Sequence, residues 1–414
     1  MIVEGQKEST VMTAFSAVQV AENVFWVGAI DWSLREFHGY NTSRGTTYNA
    51  YLVMADKITL IDTVKRPFFD EMMARIASVV DPSKIEYIVS NHAEMDHSGS
   101  LPEAVRVIQP AKVFASSQGV KALQEHFGPF TELTEVKDTE TLSLGNLNLT
   151  FFETRMLHWP DSMVSYLAER QLLFSQDAFG MHLASSERFG DELPENILVA
   201  EGEKYFANIL MPFSPLIKKA VERLTGAGIE IKIIAPDHGP IWREKPEWII
   251  GKYQEWADQK PKKKAVVLYD TMWGSTEKMA QAVAEGLYSV GVAADMLSLS
   301  ASHRSDVVTS LLDAGALIVG SPTMNNQVYP SLADCMTYLK GLKPKDLIGA
   351  AFGSYGWSGE SLGLLEKMLD DMKVERVAEG IRVKYIPTEA DLTVCRELGA
   401  QVGRALLEKC GGNA

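Results

Sequence analysis

The sequence predicts an α/β protein of two layered domains, on three observations. Strands and helices interleave through the first 260 residues, they alternate strictly through the remainder, and a polar, basic, proline-broken stretch separates the two. That stretch, Gln259-Lys260-Pro261-Lys262-Lys263-Lys264, sets the expected domains at 1–260 and 261–414. At 414 residues and 46% hydrophobic content, the chain is too long for one core and can fill two.

The first domain opens with short strands, read in VQVAENVFWVGAI and AYLVMADKITLID on either side of a polar loop. In PFFDEMMARIASVV the apolar residues recur at helical spacing, and Asp81-Pro82 stops the helix. A strand from Ile85 to Ser90, a helix from Leu101 to Ile108, a strand from Lys112 to Ala115 and a helix from Gln118 to Phe127 follow. Thr141 to Glu153 reads as a hairpin turned at Gly145-Asn146, and Pro246 to Asp258 as a closing helix. The expected first domain is therefore a layered sheet-and-helix structure.

Its chemistry gathers at Ile85 to Gly99, IEYIVSNHAEMDHSG, where an apolar strand ends in His92, Glu94, Asp96 and His97. Groups this close repel or compete for protons unless a divalent cation makes their proximity favourable. Three more apolar strands end in a possible ligand: NLTFFETRML runs into His158, RQLLFSQ into Asp177, and EIKIIAP into Asp237-His238-Gly239. Each alone also reads as an ordinary turn or cap residue. Together they describe a site on loops at one sheet edge. Asp62 closes another strand, as a turn residue or as a group orienting a ligand. His38 and His182 allow the same two readings, and Tyr205 either offers a phenolic donor or packs on a helix. The three cysteines, Cys335, Cys395 and Cys410, form no C-x-x-C pair, so any metal must be held by histidine and carboxylate.

The second domain reads as strand, helix, strand without interruption, the pattern of a parallel, doubly wound sheet. Ligands of such sheets bind at the carboxyl ends of the strands. The first such loop, Thr271-Met272-Trp273-Gly274-Ser275-Thr276, offers hydroxyls and helix N-terminal N–H groups to a phosphate. It lacks the Gly-Lys-Ser/Thr ending of a Walker A loop and is not a dinucleotide fingerprint. The second loop carries Pro322, Thr323, Asn325 and Asn326, and the third Ser354, Tyr355, Gly356, Trp357 and Gly359. Trp273, Tyr355 and Trp357 give aromatic faces to a flat ring, and the asparagines suit its polar edge. A monophosphate and a flat ring together suggest FMN.

The net charge of −14, with most of the acidic excess in the first 260 residues, argues against a nucleic-acid partner. No run of about 18 apolar residues suggests a membrane span, and MIVEGQKESTVMTAF lacks the basic and apolar regions of a signal peptide, so a cytoplasmic protein is expected.

DTMWGSTE, SPTMNNQVYP and GSYGWSGE resemble the three FMN-binding loops of a short-chain flavodoxin domain. H-A-E-M-D-H, with His158, Asp177 and His238, resembles the metal site of flavodiiron proteins. That family joins a metallo-β-lactamase-like αββα domain to a flavodoxin-like domain in this order. Zinc hydrolases of the first fold typically read H-x-H-x-D-H; the carboxylate of Glu94 in the second position suits iron. The resemblance implies two non-haem irons, one held by His92, Glu94, His158 and Asp177 and the other by Asp96, His97, His238 and a bridging Asp177. In some members the position of His97 is not a ligand. The implied reaction passes electrons from an external donor, a rubredoxin or a reduced deazaflavin, through FMN to the irons, reducing O2 to water or NO to N2O. A head-to-tail homodimer, or a dimer of dimers, with Trp357 at the contact is also implied. The competing readings are a zinc hydrolase fused to a flavodoxin domain and a flavin electron carrier with a vestigial metal domain.

Overall fold

The computed structural model describes residues 15–411; the first 14 residues of the stretch read above for a leader lie outside them. Two compact units result. The first contains a seven-stranded sheet in the order Val18–Ala21, Val24–Trp26, Tyr51–Val53, Thr59–Ile61, Tyr87–Ser90, Lys112–Ser116 and Leu133–Val136. Its second sheet runs Thr141–Ser143, Asn148–Glu153, Met163–Leu167, Leu172–Gln176 and Ile233–Pro236.

Side chains on a strand alternate between faces, so a strand buried on both sides feeds two cores. Tyr87 and Val89 join Phe151, Phe174 and Leu172 between the sheets. Ile88 points the other way, to Met72 and Ile76 of the helix Phe69–Ala77 and to Leu101 and Ala104 of the helix Leu101–Ile108. On the outer face of the second sheet, Arg223 of the helix Ser214–Gly226 donates to the Glu153 carbonyl and to Asp138. The layers are helix, sheet, sheet, helix. The carboxyl ends of Tyr87–Ser90, Leu172–Gln176 and Ile233–Pro236 lead directly into the candidate ligands.

The second unit has a parallel sheet in the order Ala293–Ser298, Lys262–Tyr269, Ala314–Pro322 and Ile348–Tyr355, with Glu375–Arg376 and Ile381–Lys384 both pairing the last of these. One face packs on Met279, Val283 and Leu287 of the helix Ser275–Ser289 and on Leu398 and Val402 of the helix Glu389–Gly411. Those helices touch at glycines, since a Cβ on Gly286 would lie 2.0 Å from the Arg396 carbonyl oxygen.

The units do not divide at residue 260. Glu36–Asn41, Val199–Lys218 and everything from Gly251 onward belong to the second. Asn41 donates its N–H to Ser305 Oγ at 3.3 Å, Arg304 Nε donates to the Gly39 carbonyl at 3.1 Å, and Asn208 Nδ2 donates to the Ser305 carbonyl at 3.2 Å. These long-range contacts have no local signature. Nor are Lys262-Lys263-Lys264 a linker: they begin the central strand. Lys264 is neutralised by Asp313 and Asp295, and Lys262 by Asp313 and Glu255, which lets a basic run enter the sheet. Among the described residues, no helix is long and apolar enough to cross a membrane.

Candidate metal centre and flavin cavity

Asp62 fixes the loop after Tyr87–Ser90 from below. Its two oxygens accept from the N–H and the Nδ2 of Asn91, both at 2.7 Å, and Asn91 Oδ1 accepts from Ser165 at 2.5 Å. Burial raises the Asp62 carboxyl to about 6 against the lowering by Asn91. Asp62 thus supports the residue before His92 and is not itself in the cluster. Ser98 Oγ donates to the Ala93 carbonyl, and Thr63 Oγ1 to the His97 carbonyl, at 2.7 and 2.5 Å. Pinned this way, the loop and the short helix Met95–Ser98 aim four side chains inward.

His92, Glu94, His158 and Asp177 converge as one group, and Asp96, His97 and His238 as another. Asp177 faces both. Its Oδ2 lies 3.3 Å from the Nε2 of both His92 and His158, and its Oδ1 lies 3.2 Å from His97 Nε2 and 3.5 Å from His238 Nε2. Glu94 Oε2 stands 3.3 Å from His92 Nε2 and 3.1 Å from His158 Nε2, and Asp96 Oδ2 3.2 Å from His238 Nε2.

Both oxygens of Asp96, both ring nitrogens of His97 and Oδ2 of Asp177 are buried without a hydrogen-bond partner. These atoms are held only by close but poorly aligned imidazole–carboxylate pairs, and convergent metal coordination satisfies them better. Burial opposes protonation of His92, but Asp161, Glu94 and Asp177 outweigh it and raise its pKa to about 10. His158 is likewise raised to about 9 against burial, by Asp177 and Glu94. Burial works against ionised Asp177 too, yet His97 and His158 hold it well below the usual carboxylate range. The carboxylates therefore call for positive charge at this point. Three carboxylates and four imidazoles fit two divalent ions in mixed nitrogen and oxygen coordination.

The outer ring nitrogens of His92 and His238 are tied down, which sets which nitrogen faces inward. His92 Nδ1 meets Asp161 Oδ2 at 3.2 Å, and that oxygen also accepts the Ala93 N–H at 2.6 Å. His238 Nδ1 meets the Thr47 carbonyl at 2.6 Å, and His97 Nδ1 stands 3.6 Å from Asp237 Oδ2. Asp161 was not visible as a functional residue in the sequence, although it follows His158 by three positions in HWPD. Asp161→Ala is expected to weaken metal binding about 10–100-fold, with Asp161→Asn recovering part of it. Competition with a chromophoric chelator measures this.

His182 is buried against the second group, its ring 4.6 Å from that of His238 and its Nδ1 2.9 Å from Thr46 Oγ1. Burial and His238 push its pKa well down, so it is a neutral neighbour. Tyr205 and His38 belong to the second unit instead, Tyr205 buried at the end of the helix Glu195–Tyr205 and His38 in the turn after Glu36–Phe37.

In the second unit the three loops line one cavity of about 450 Å³, with Trp273 and Trp357 exposed on its rim at 94% and 87%. The fifteen-residue helix Ser275–Ser289 starts at its edge, and Gly274, at φ +82°, turns the chain into it. An N-terminus held this way suits a phosphate, and the exposed indoles suit a flat ring. Thr276 does not reach the cavity: it is fully buried and its hydroxyl meets Ser354 Oγ at 2.8 Å, joining the first loop to the third. Gly274 and Gly359 shape helix starts and do not line the cavity. Ser358, within GSYGWSGE, also lines it, and Tyr385 and Ile386 line it from outside the three sequence motifs.

The model of the ODP family beta lactamase matches residues 46–239, and that of flavodoxin residues 267–399. The chain is 47% identical to the rubredoxin-oxygen oxidoreductase of Megalodesulfovibrio gigas, covering 95% of this chain and 99% of that one. It is 44% identical to the nitric oxide reductase of Moorella thermoacetica, over 94% of this chain and 99% of the relative. The crystal structure of the flavodiiron protein from Giardia intestinalis superposes with a TM-score of 0.92 at 35% identity, covering 96% and 98% of the two chains. With its beta-lactamase-like and flavodoxin domains, its FMN and its pair of non-haem irons, the chain belongs to the flavodiiron protein family.

Proposed function

We propose that this protein reduces dioxygen to water or nitric oxide to nitrous oxide with electrons from an external donor. Four electrons and four protons convert O2 to two waters; two of each convert two NO to N2O and water. When bound, FMN would supply electron storage between donor and metals, and two irons held by the seven ligands would supply the site of gas reduction.

The residues supply the rest. In this reading His92, Glu94, His158 and Asp177 hold one iron, and Asp96, His97, His238 and Asp177 the other. The observation that carries it is Asp177, whose two oxygens face the two histidine pairs separately. Glu94, where zinc hydrolases of this fold place histidine, adds the oxygen donor that favours iron. The His158 side chain is 13% exposed and the other six no more than 7%, so His158 is the candidate ligand nearest solvent. Asp161 and the Thr47 carbonyl keep the imidazoles of His92 and His238 oriented during turnover.

A rubredoxin is the first donor to test, since the M. gigas relative is named for one, and a reduced deazaflavin the second. A head-to-tail homodimer, or a dimer of dimers, would set the flavin of one chain against the metals of its partner, and the exposed Trp357 and Trp273 support an apolar contact at the flavin rim. The three unpaired cysteines support a reducing, cytoplasmic setting.

The test is peroxide yield during oxygen uptake by anaerobically reduced, iron-loaded protein. Oxygen loss with little peroxide is expected, because the terminal step is at the metals. Peroxide in proportion to oxygen consumed would mean that flavin alone reacts, and would leave the carrier or hydrolase reading in place. Parallel turnover of nitric oxide ranks the two gases.

A further inference from the structure

The flavin cavity has a fourth wall, on a segment outside the three loops that resemble a flavodoxin's. The strand Ile381–Lys384 runs parallel to Phe352–Tyr355, with Ser354 opposite Val383 and Tyr355 opposite Lys384. Its chain therefore leaves the sheet at the same carboxyl edge as the three loops, and Tyr385 and Ile386 line the cavity with them.

This segment is held in place. The N–H of Tyr385 donates to the Tyr355 carbonyl at 2.7 Å. The Tyr385 backbone lies in the left-handed region, at φ +59°, a conformation costly for a bulky residue. Its ring rests on Gly356, where an added Cβ would come within 3.3 Å of Tyr385 Cε1. Despite this anchoring, 60% of Tyr385 and 71% of Ile386 remain exposed. Tyr385 is thus fixed at the mouth of a cavity suited to a flat ring, with Ile386 exposed beside it.

We propose that Tyr385 and Ile386 cover one edge of the FMN ring and that their cover favours oxidised over reduced flavin. The argument is desolvation. Apolar cover stabilises a neutral oxidised ring by burying it, but it also removes water from the negatively charged reduced ring, and the second effect opposes the first. The wall therefore tightens the oxidised complex more than the reduced one and lowers the flavin's potential. Tyr385 also acts as a positioning residue for Gly356 through its ring and its backbone bond. The proposal rests on FMN occupying this cavity.

The experiment uses the full chain, stripped of FMN and titrated with FMN by flavin fluorescence, followed by a redox titration of the reloaded protein. Tyr385→Ala and Ile386→Ser are compared with Tyr385→Phe, which keeps the ring. Tyr385→Ala is expected to weaken oxidised FMN about tenfold and reduced FMN little, raising the midpoint potential by about 30 mV, the two-electron equivalent of a tenfold ratio. Ile386→Ser, at an exposed position that leaves folding untouched, shifts in the same direction, and Tyr385→Phe behaves as the parent. Unchanged affinity and potential in both Tyr385→Ala and Ile386→Ser would overturn the wall. Weaker binding with an unchanged potential would overturn the cover and reduce Tyr385 to a loop support. Ser275→Glu, which sets a negative charge at the first loop, is the control for the cavity itself. If FMN affinity survives that change, the cavity has been misassigned, a failure distinct from that of the wall.

Discussion

Asp177→Ala is expected to lose both metals and the reduction of either gas while retaining FMN. No other side chain in the cluster turns one oxygen to each histidine pair. Removing it takes away one of three negative charges and leaves four buried imidazoles facing a gap. Breaking a buried charge pair typically costs about 3–5 kcal/mol, and even changes behind a ligand cost about 10–100-fold in metal affinity. Loss of the shared ligand therefore exceeds about a hundredfold for each ion, and gas reduction falls below about a hundredth of the parent rate. Metal analysis after gel filtration and anaerobic turnover check this. Reduction of FMN by the donor proceeds as before, because the flavin cavity lies on other residues. Glu94→Ala, by contrast, removes a ligand of the first group alone.

Metal affinity is expected to fall steeply with acid. In the metal-free protein burial disfavours the His92 and His158 imidazoliums, yet Asp161 and Glu94 beside the first and Asp177 and Glu94 beside the second raise them to about 10 and about 9. Both are protonated at neutral pH, and each proton must leave before its Nε2 can bind an ion. Below pH 9 the first group thus binds a divalent ion about a hundredfold more weakly for each unit of acidification, tenfold per proton. Calorimetric titration in buffers of different ionisation enthalpy should count the two protons released. The same shifts set the stability of the metal-free form. A histidine raised in the folded state contributes stability that is complete below its unfolded value of about 6.5 and is lost as pH climbs through the folded value. Metal-free protein is therefore expected to melt at progressively lower temperature from pH 7 to 10, whereas metal-loaded protein, whose two imidazoles carry no proton either folded or unfolded in this range, should show no such fall.

What the sequence made legible follows from distance along the chain. His92, Glu94, Asp96 and His97 sit within six residues, so their proximity needs no folding to be seen. His158, Asp177 and His238 were legible because each follows an apolar strand, and strands of one sheet deliver their ends to one edge. Asp161 was not, because its role depends on the turn after His158 folding back to set a carboxylate under the imidazole of His92. Tyr205 and His38 looked like neighbours of the metal domain by position, but Glu36–Asn41 and Val199–Lys218 pack into the second unit through residues more than 90 positions away. Lys262–Lys264 misled for a different reason: a run of lysines reads as solvated until Asp295 and Asp313, brought from other elements, neutralise Lys264. Tyr385 and Ile386 carry no phosphate or ring motif at all, and only strand pairing places them at the flavin.

The central claim is that one carboxylate joins two iron sites. Iron content and electron paramagnetic resonance of the oxidised, FMN-loaded protein test it directly. Two irons per chain whose spins are coupled through a bridge, and hence silent when both are ferric, are predicted; Asp177→Ala should abolish the pair. A single iron per chain, or two that give independent ferric signals, would contradict the account.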